Sequence, residues 1–506
     1  MLSKVFTTSI TGIKGSLIIV ETNISRGLPC YNVVGLGGTV IREAGSRIRA
    51  AINNSGLEYP VTKIDVNLSP ASSRKEGSHF DLPLALGILS SSGQVFITEK
   101  MAFFGELSMD GKINRVDGIL PMVLAAKNSG IEKIVVPMGN IKEAGLAREL
   151  EVFPAKTLIE VVDHLRGTEQ ITPYEGNIYD ENDEYSMDAP DYRDVIGQEN
   201  AKRAIMIGAG GGHGIFMVGP PGSGKTMLAE RLPGILPPLS YEEKLEVTKI
   251  HSVAGLLDEE NQLVRCRPFR RVYSDITLAA LLGGGRKPKP GEISLAHKGV
   301  LFIDEFPMLP SGIIESLRIP LEENKVIISR SGYRAEFPSE IMLISGANPC
   351  LCGNRTNPKK VCTCTPGQLA AYDRKISDMI LDRIDLHISV DAVDPMKISD
   401  KDKKNLMSTK EMRERVAFTR ERQRERYSAD ILNAKLTKAQ IEKYIVLKED
   451  VREFLRKAYD TMSLTMRTYN KTLTVSRTIA DMEGEEDISI NHVAEALQYR
   501  SKGYGV

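Results

Sequence analysis

Gly219-Pro220-Pro221-Gly222-Ser223-Gly224-Lys225-Thr226 decides how the rest of this chain is read. It matches G-x-x-x-x-G-K-[ST] at every fixed position. The apolar run Gly214-Ile215-Phe216-Met217-Val218 leads in and predicts a buried strand. Thr226-Met227-Leu228-Ala229-Glu230-Arg231 leads out and predicts the first turns of a helix. That order puts backbone N–H groups and the positive end of the helix dipole around a phosphate. Lys225 is then expected to reach the β- and γ-phosphates of ATP, and Thr226 to hold Mg²⁺. Without its flanks the loop would be only a glycine-rich turn.

The second half of a nucleotide site follows in Gly299-Val300-Leu301-Phe302-Ile303-Asp304-Glu305, an apolar strand ending in two carboxylates. A strand-end Asp positions Mg²⁺ in such enzymes, which assigns Asp304. Glu305 is suited to orient and activate the attacking water. Asp-Glu after a strand is also a common helix start, because carboxylates favour the first turn. A third apolar strand, Ile341-Met342-Leu343-Ile344-Ser345-Gly346-Ala347, is tipped by Asn348, which can hold the lytic water or touch the γ-phosphate.

A chain of 506 residues exceeds one core, so two or three domains are expected. Its net charge is zero, so no whole-molecule field draws in nucleic acid, and any such binding needs a local patch. No apolar run approaches membrane-spanning length. The N-terminus continues into strand-like sequence with no signal-peptide apolar region, so a cytoplasmic protein is expected. Residues 1–166 mix short strands (Leu17 to Val20, Ile64 to Leu68) with helices (Ile41 to Asn53, Leu82 to Leu89). Residues 167–191 form an acidic linker, 192–395 an α/β core, and 396–506 a helical lid.

Four of six cysteines cluster as Cys350-Leu351-Cys352 and Cys362-Thr363-Cys364. Four thiols close together suit a structural Zn²⁺ site, although C-x-C spacing is tighter than usual; free thiols or a redox pair are the alternative. Cys30 and Cys266 stand alone and are expected to be packing residues. Arg265, Arg267, Arg270 and Arg271, with Arg286, Lys287 and Lys289, could grip phosphates in a channel or form solvated loops. The Arg413 to Arg426 run alternates with Glu and predicts a self-paired exposed helix.

The phosphate loop, the Asp-Glu strand and the Asn-tipped strand together resemble the AAA+ ATPases. That resemblance implies a ring whose sites are completed by a neighbour's arginine. Leu381-Asp382-Arg383-Ile384-Asp385 looks like the segment supplying it, so Arg383 is the expected arginine finger, with Arg374 as runner-up; a local salt bridge of Arg383 to Asp382 or Asp385 is the plain alternative. Arg477, in Val475-Ser476-Arg477-Thr478-Ile479, looks like the lid's sensor arginine, with Arg467 as the other candidate. The whole chain resembles the YifB/ComM family of magnesium-chelatase-like AAA+ proteins. The resemblance rests on Asp194-Val195-Ile196-Gly197-Gln198-Glu199, Arg267-Pro268-Phe269-Arg270, Asn348-Pro349-Cys350, Leu381 to His387, and Ser73-Arg74-Lys75-Glu76-Gly77. It implies a bacterial hexameric ATPase acting on DNA, the competence member being a branch-migration helicase. One departure stands out: where the family has Pro-His-His after Arg270, this chain has Arg271-Val272-Tyr273-Ser274.

The N-terminal segment is similar to the Lon protease fold, α+β, whose chemistry needs a Ser and a Lys. Here His79 falls at the serine position and Leu120 at the lysine position, so a proteolytically inactive domain is expected, Ser78 having no base beside it. The alternative function is the ATPase subunit of a magnesium chelatase, driving a metal-inserting partner.

Overall fold

The structure, a computed structural model, describes residues 2–72, 74–97, 100–176, 190–330, 333–356, 360–375, 381–391, 406–462 and 464–500. Ser73 of the first family motif, the acidic Asp180 to Glu184, the Asn357 to Lys359 part of the cysteine loop and residues 396–405 of the expected lid lie outside the described residues.

The chain is a mixed α/β protein with a parallel sheet at its centre. That sheet runs Phe269–Val272, Val300–Ile303, Met342–Ala347, Ile215–Val218, Leu386–Ser389, with every pairing parallel. The inner strands Ile215–Val218 and Val300–Ile303 are apolar throughout because both faces are covered, whereas edge strand Phe269–Val272 carries Arg270 and Arg271. Phe216, Val218, Leu301 and Ile303 join one apolar cluster; Ile215, Met217, Val300 and Phe302 join another. Successive side chains point to opposite faces, so one short run feeds two cores. The phosphate-loop strand lies second from the edge, and the Asp304 and Asn348 strands end on the same side as the loop, because all of them are parallel.

The N-terminal sheet is mixed, in the order Cys30–Val34, Lys63–Ser69, Lys14–Ser25, Leu2–Thr11, Met101–Phe103, Lys133–Pro137, Glu151–Ala155. Helices Thr39–Asn54 and Asp81–Ser91 pack into one core with it. Helix Ile119–Asn128 contributes Ile119, Met122, Val123 and Ala126 to the cluster that continues through Val253 into the central sheet. Hydrogen bonds reinforce this junction: Gly118 N–H donates to Ser252 O at 3.1 Å, and Tyr241 Oη to Leu146 O at 2.8 Å. The start of the expected linker is not detached, since Tyr174 N–H bonds Val152 O at 2.8 Å.

Two expectations fail here. Cys30 and Cys266 are exposed rather than packed. Helix Thr409–Tyr427 is not simply self-paired and solvated. Arg413 donates to Gly234 O at 2.7 Å and Arg420 to Ala209 O at 2.8 Å, while Arg426 pairs with buried Asp481. Among the described residues, Arg424–Glu421, at 2.6 Å, is the one ion pair within the helix. Arginine stems can line apolar surface while their guanidinium groups satisfy helix-end carbonyls, and charge patterning alone does not reveal that use.

Candidate functional site

The phosphate loop turns through Gly222 (φ +78°) and Gly224 (φ +95°), left-handed conformations open to glycine, and passes directly into helix Lys225–Arg231. Gly219 is required for another reason: a Cβ there would stand 2.1 Å from Val390 O of the adjoining strand end. Lys225 Nζ lies in the mouth of the loop, donating to Gly219 O at 2.7 Å, Pro220 O at 3.1 Å and Asn348 Oδ1 at 3.3 Å. Burial lowers its pKa, partly offset by Asp304 and Glu305. An ammonium held only by neutral oxygens can exchange them for phosphate oxygens, which are stronger acceptors.

Asp304 stands opposite the helix. Thr226 Oγ1 is 3.4 Å from Asp304 Oδ2, and Glu305 N–H donates to Asp304 Oδ1 at 3.0 Å. No helix starts at this Asp-Glu pair: Glu305 adopts φ +50° and a short 3₁₀ turn, Phe306–Met308, follows. A glutamate held in the left-handed region is a strained residue at a strand end, a feature that concentrates at functional sites.

Asn348 joins the two halves through its bond to Lys225, and Tyr372 Oη donates to Asn348 O at 2.7 Å. Directly after it, the ligand sulfurs of Cys350, Cys352, Cys362 and Cys364 all lie within 4.8 Å of one another. Backbone N–H groups of Asn354 and Thr363 pull the Cys352 thiol down to about 5. The donor set and its compactness fit one tetrahedral Zn²⁺. The cysteine loop also leans on the phosphate loop: a Cβ at Gly353 (φ +75°) would meet Pro221 Cδ at 2.5 Å.

The arginines fall into place differently from their expected company. Arg383 pairs with Glu322 at 2.9 Å, not with Asp382 or Asp385, and Arg467 reaches the same Glu322 oxygen at 3.1 Å. Asp385 instead binds Lys471. Arg374 Nε donates to Ala370 O of its own helix at 3.1 Å. Arg477 is buried in helix Met466–Glu483, donating to Asp481 Oδ1 at 3.1 Å and to the carbonyls of Glu485 and Glu486 at 2.7 and 2.5 Å. In this conformation it closes the end of its own helix. Tyr372, Glu322 and Gly353 were not singled out in the sequence. Their partners lie far away along the chain, and only the Tyr372 position, inside a helix after the cysteine loop, had a local signal.

The basic cluster divides. Arg267 donates to Pro237 O at 2.6 Å and Lys298 O at 2.8 Å, Arg270 forks onto Glu292 at 2.6 and 2.8 Å, and Arg271 reaches Asp304 at 2.8 Å. In this conformation these three are paired within the protein. Arg286, Lys287 and Lys289 remain exposed around a two-residue hairpin pairing Gly283–Gly284 with Lys289–Pro290, where Lys287 feels Glu76 and Asp117 of the N-terminal segment. There, His79 is buried with Nε2 2.9 Å from Thr8 O, its pKa lowered to about 4 by burial, and Leu120 is fully buried. Neither position carries the hydroxyl or the amine that the resemblance would require.

Comparison with known proteins accords with this geometry. Residues 20–140 match the family model for subunit ChlI of Mg-chelatase, residues 191–398 that for magnesium chelatase subunit ChlI, and residues 406–500 its C-terminal model. The competence protein ComM of Haemophilus influenzae is 38% identical over 505 residues, covering 99% of this chain and 97% of ComM. YifB of Salmonella typhimurium is 38% identical over 502 residues and YifB of Escherichia coli 37% over 503, each covering 99% of this chain and 97% of the relative. No helix among the described residues is long and apolar enough to cross a membrane. The chain belongs to the YifB/ComM family of magnesium-chelatase-like AAA+ ATPases.

Proposed function

We propose that this protein is an ATP-hydrolysing ring motor that acts on DNA as a branch-migration helicase. The observation that carries the ATPase half is the convergence of Lys225, Thr226, Asp304 and Asn348 on one loop mouth. Gly219 to Thr226 bind the phosphates through backbone N–H groups, with Lys225 on the β- and γ-oxygens. Thr226 and Asp304 are the groups to hold Mg²⁺, which when bound neutralises charge on the transferred phosphoryl group. Glu305 accepts a proton from the attacking water and Asn348 orients it. Arg383 leaves Glu322 to complete a neighbouring site in a homo-hexamer, and Arg477 of the helical lid follows nucleotide state.

The cysteine cluster holds one structural Zn²⁺, because four thiolates leave no open coordination position. The N-terminal segment is a Lon-like domain without proteolysis, serving assembly or partner binding. DNA contacts fall to Arg286, Lys287 and Lys289, exposed around one hairpin, and are made to phosphates with little base preference. The protein works in the cytoplasm. What supports DNA as the substrate is the full-length likeness to a competence protein. A second reading, an ATPase subunit driving a metal-inserting partner, draws on the chelatase models that span the chain. ATP turnover by the assembled protein, alone and with single-stranded, duplex and forked DNA, separates them. Stimulation strongest with forked DNA supports the motor; a flat response across all three rejects it.

A further inference from the structure

The metal-binding carboxylate assigned above is already occupied by a cation of the protein itself. Arg271 lies on the strand beside Asp304's, in register with Phe302, and its Nη2 is 2.8 Å from Asp304 Oδ2. That is the same oxygen that Thr226 Oγ1 approaches at 3.4 Å. The other oxygen, Oδ1, is committed to Glu305 N–H. Arg271 and Thr226 therefore share one oxygen of the carboxylate, the one an ion held by both Thr226 and Asp304 would take. Its planar group is steadied by the rings of Tyr273 and Phe302, with its carbon 5.0 and 5.7 Å from their centres.

Two details mark this as a resting position rather than a permanent lock. Arg271 Nε is buried without a hydrogen-bond partner, so the guanidinium is incompletely satisfied where it lies. A second carboxylate already shares the group: exposed Glu230, on the helix that follows the phosphate loop, accepts from Nη1 at 3.4 Å. A small rotation can therefore release Asp304 while the guanidinium keeps Glu230 as its charge partner.

We infer that Arg271 is a two-position arginine that holds Asp304 while the nucleotide site is without metal and moves to Glu230 when Mg²⁺ is bound, so that it sets the Mg²⁺ concentration at which the site loads. The inference rests on the reading of Thr226 and Asp304 as Mg²⁺ ligands.

The test is equilibrium binding of a fluorescent ATP analogue to the full-length protein, titrated with Mg²⁺, with no turnover measured. Arg271→Met keeps an apolar stem against Phe302, and Arg271→Gln serves if the methionine variant does not fold. Either should lower the half-saturating Mg²⁺ concentration about three- to tenfold, the effect of removing one partly buried competing charge pair. Glu230→Gln should raise it, because the alternative resting place is weakened. An unchanged or higher Mg²⁺ requirement in the Arg271 variants overturns the switch and makes Arg271 a fixed support of Asp304. Asp304→Asn distinguishes the two levels: if it leaves the Mg²⁺ dependence untouched, the metal assignment fails, whatever Arg271 does.

Discussion

Asp385→Asn tests whether the helical segment is fastened to the ATPase sheet through one buried ion pair. Asp385 sits just ahead of strand Leu386–Ser389, the neighbour of the phosphate-loop strand, and two residues after Arg383. Its carboxylate accepts from Gly214 N–H at 3.1 Å, binds Lys471 of helix Met466–Glu483, and lies 3.4 Å from His213 Nδ1. Burial pushes the carboxyl pKa up, but Lys471 and His213 outweigh it and hold the group well below the usual carboxylate range. Removing one member of a buried pair costs roughly 3–5 kcal/mol because the survivor's charge is left uncompensated. Lys471 keeps 20% of its side chain exposed and donates to Arg383 O at 2.5 Å, so the lower end, about 3 kcal/mol, is expected. For a sheet-plus-lid unit of roughly 300 residues that is a drop of about 5 °C in melting temperature. The double change with Lys471→Met should cost about 1–3 kcal/mol less than the sum of the two singles. Scanning calorimetry of the full chain measures both. A pair whose folded pKa is depressed stabilises above the unfolded value near about 3.9 and loses that contribution as pH falls through the folded value. The gap between native and Asp385→Asn proteins should therefore be constant from neutral pH down to about 5 and narrow only in acid. A loss under about 1 kcal/mol, or strict additivity with Lys471→Met, would refute the reasoning and make the contact an ordinary surface pair.

Glu305→Gln should retain ATP binding and lose turnover by about 10²–10⁴-fold, whereas Lys225→Ala should weaken ATP binding itself; native turnover in the glutamine variant removes Glu305 from the chemistry. Arg383→Ala should bind ATP normally and hydrolyse it about 10³-fold more slowly or worse, and mixing it with Lys225→Ala protein should restore activity at hybrid interfaces. The absence of rescue at every mixing ratio counts against a shared site. Metal analysis of protein purified without chelator should find one zinc per chain. Because Gly353 touches Pro221, stripping that zinc should lower ATP affinity as well as the melting temperature. Four freely titrating thiols with unchanged melting dismiss the site.

The amino-acid sequence alone determined the local parts of this protein. The phosphate loop, the Asp304–Glu305 strand end and the Asn348 tip were legible because strand, glycine turn and helix are set by neighbours a few residues apart. The apolar strands read as buried on both faces, which requires a covered parallel sheet. The four cysteines were legible as a set because their spacing confines them to one loop. What the sequence could not carry was the partner of each charge. Arg383 is the expected arginine finger, with Asp382 or Asp385 as its alternative local partners, yet here it meets Glu322, and Asp385 meets Lys471. Arg420 and Arg426 were read as surface charges, yet one caps a distant carbonyl and the other meets a buried carboxylate. Arg271 reads in the sequence as one of a basic cluster, and its place on Asp304 depends on two strands lying side by side. A long charged side chain has several partners of equal local merit. Which one it takes is decided by the packing of elements distant in sequence, because only there does the cost of burying an unpaired charge single out one arrangement.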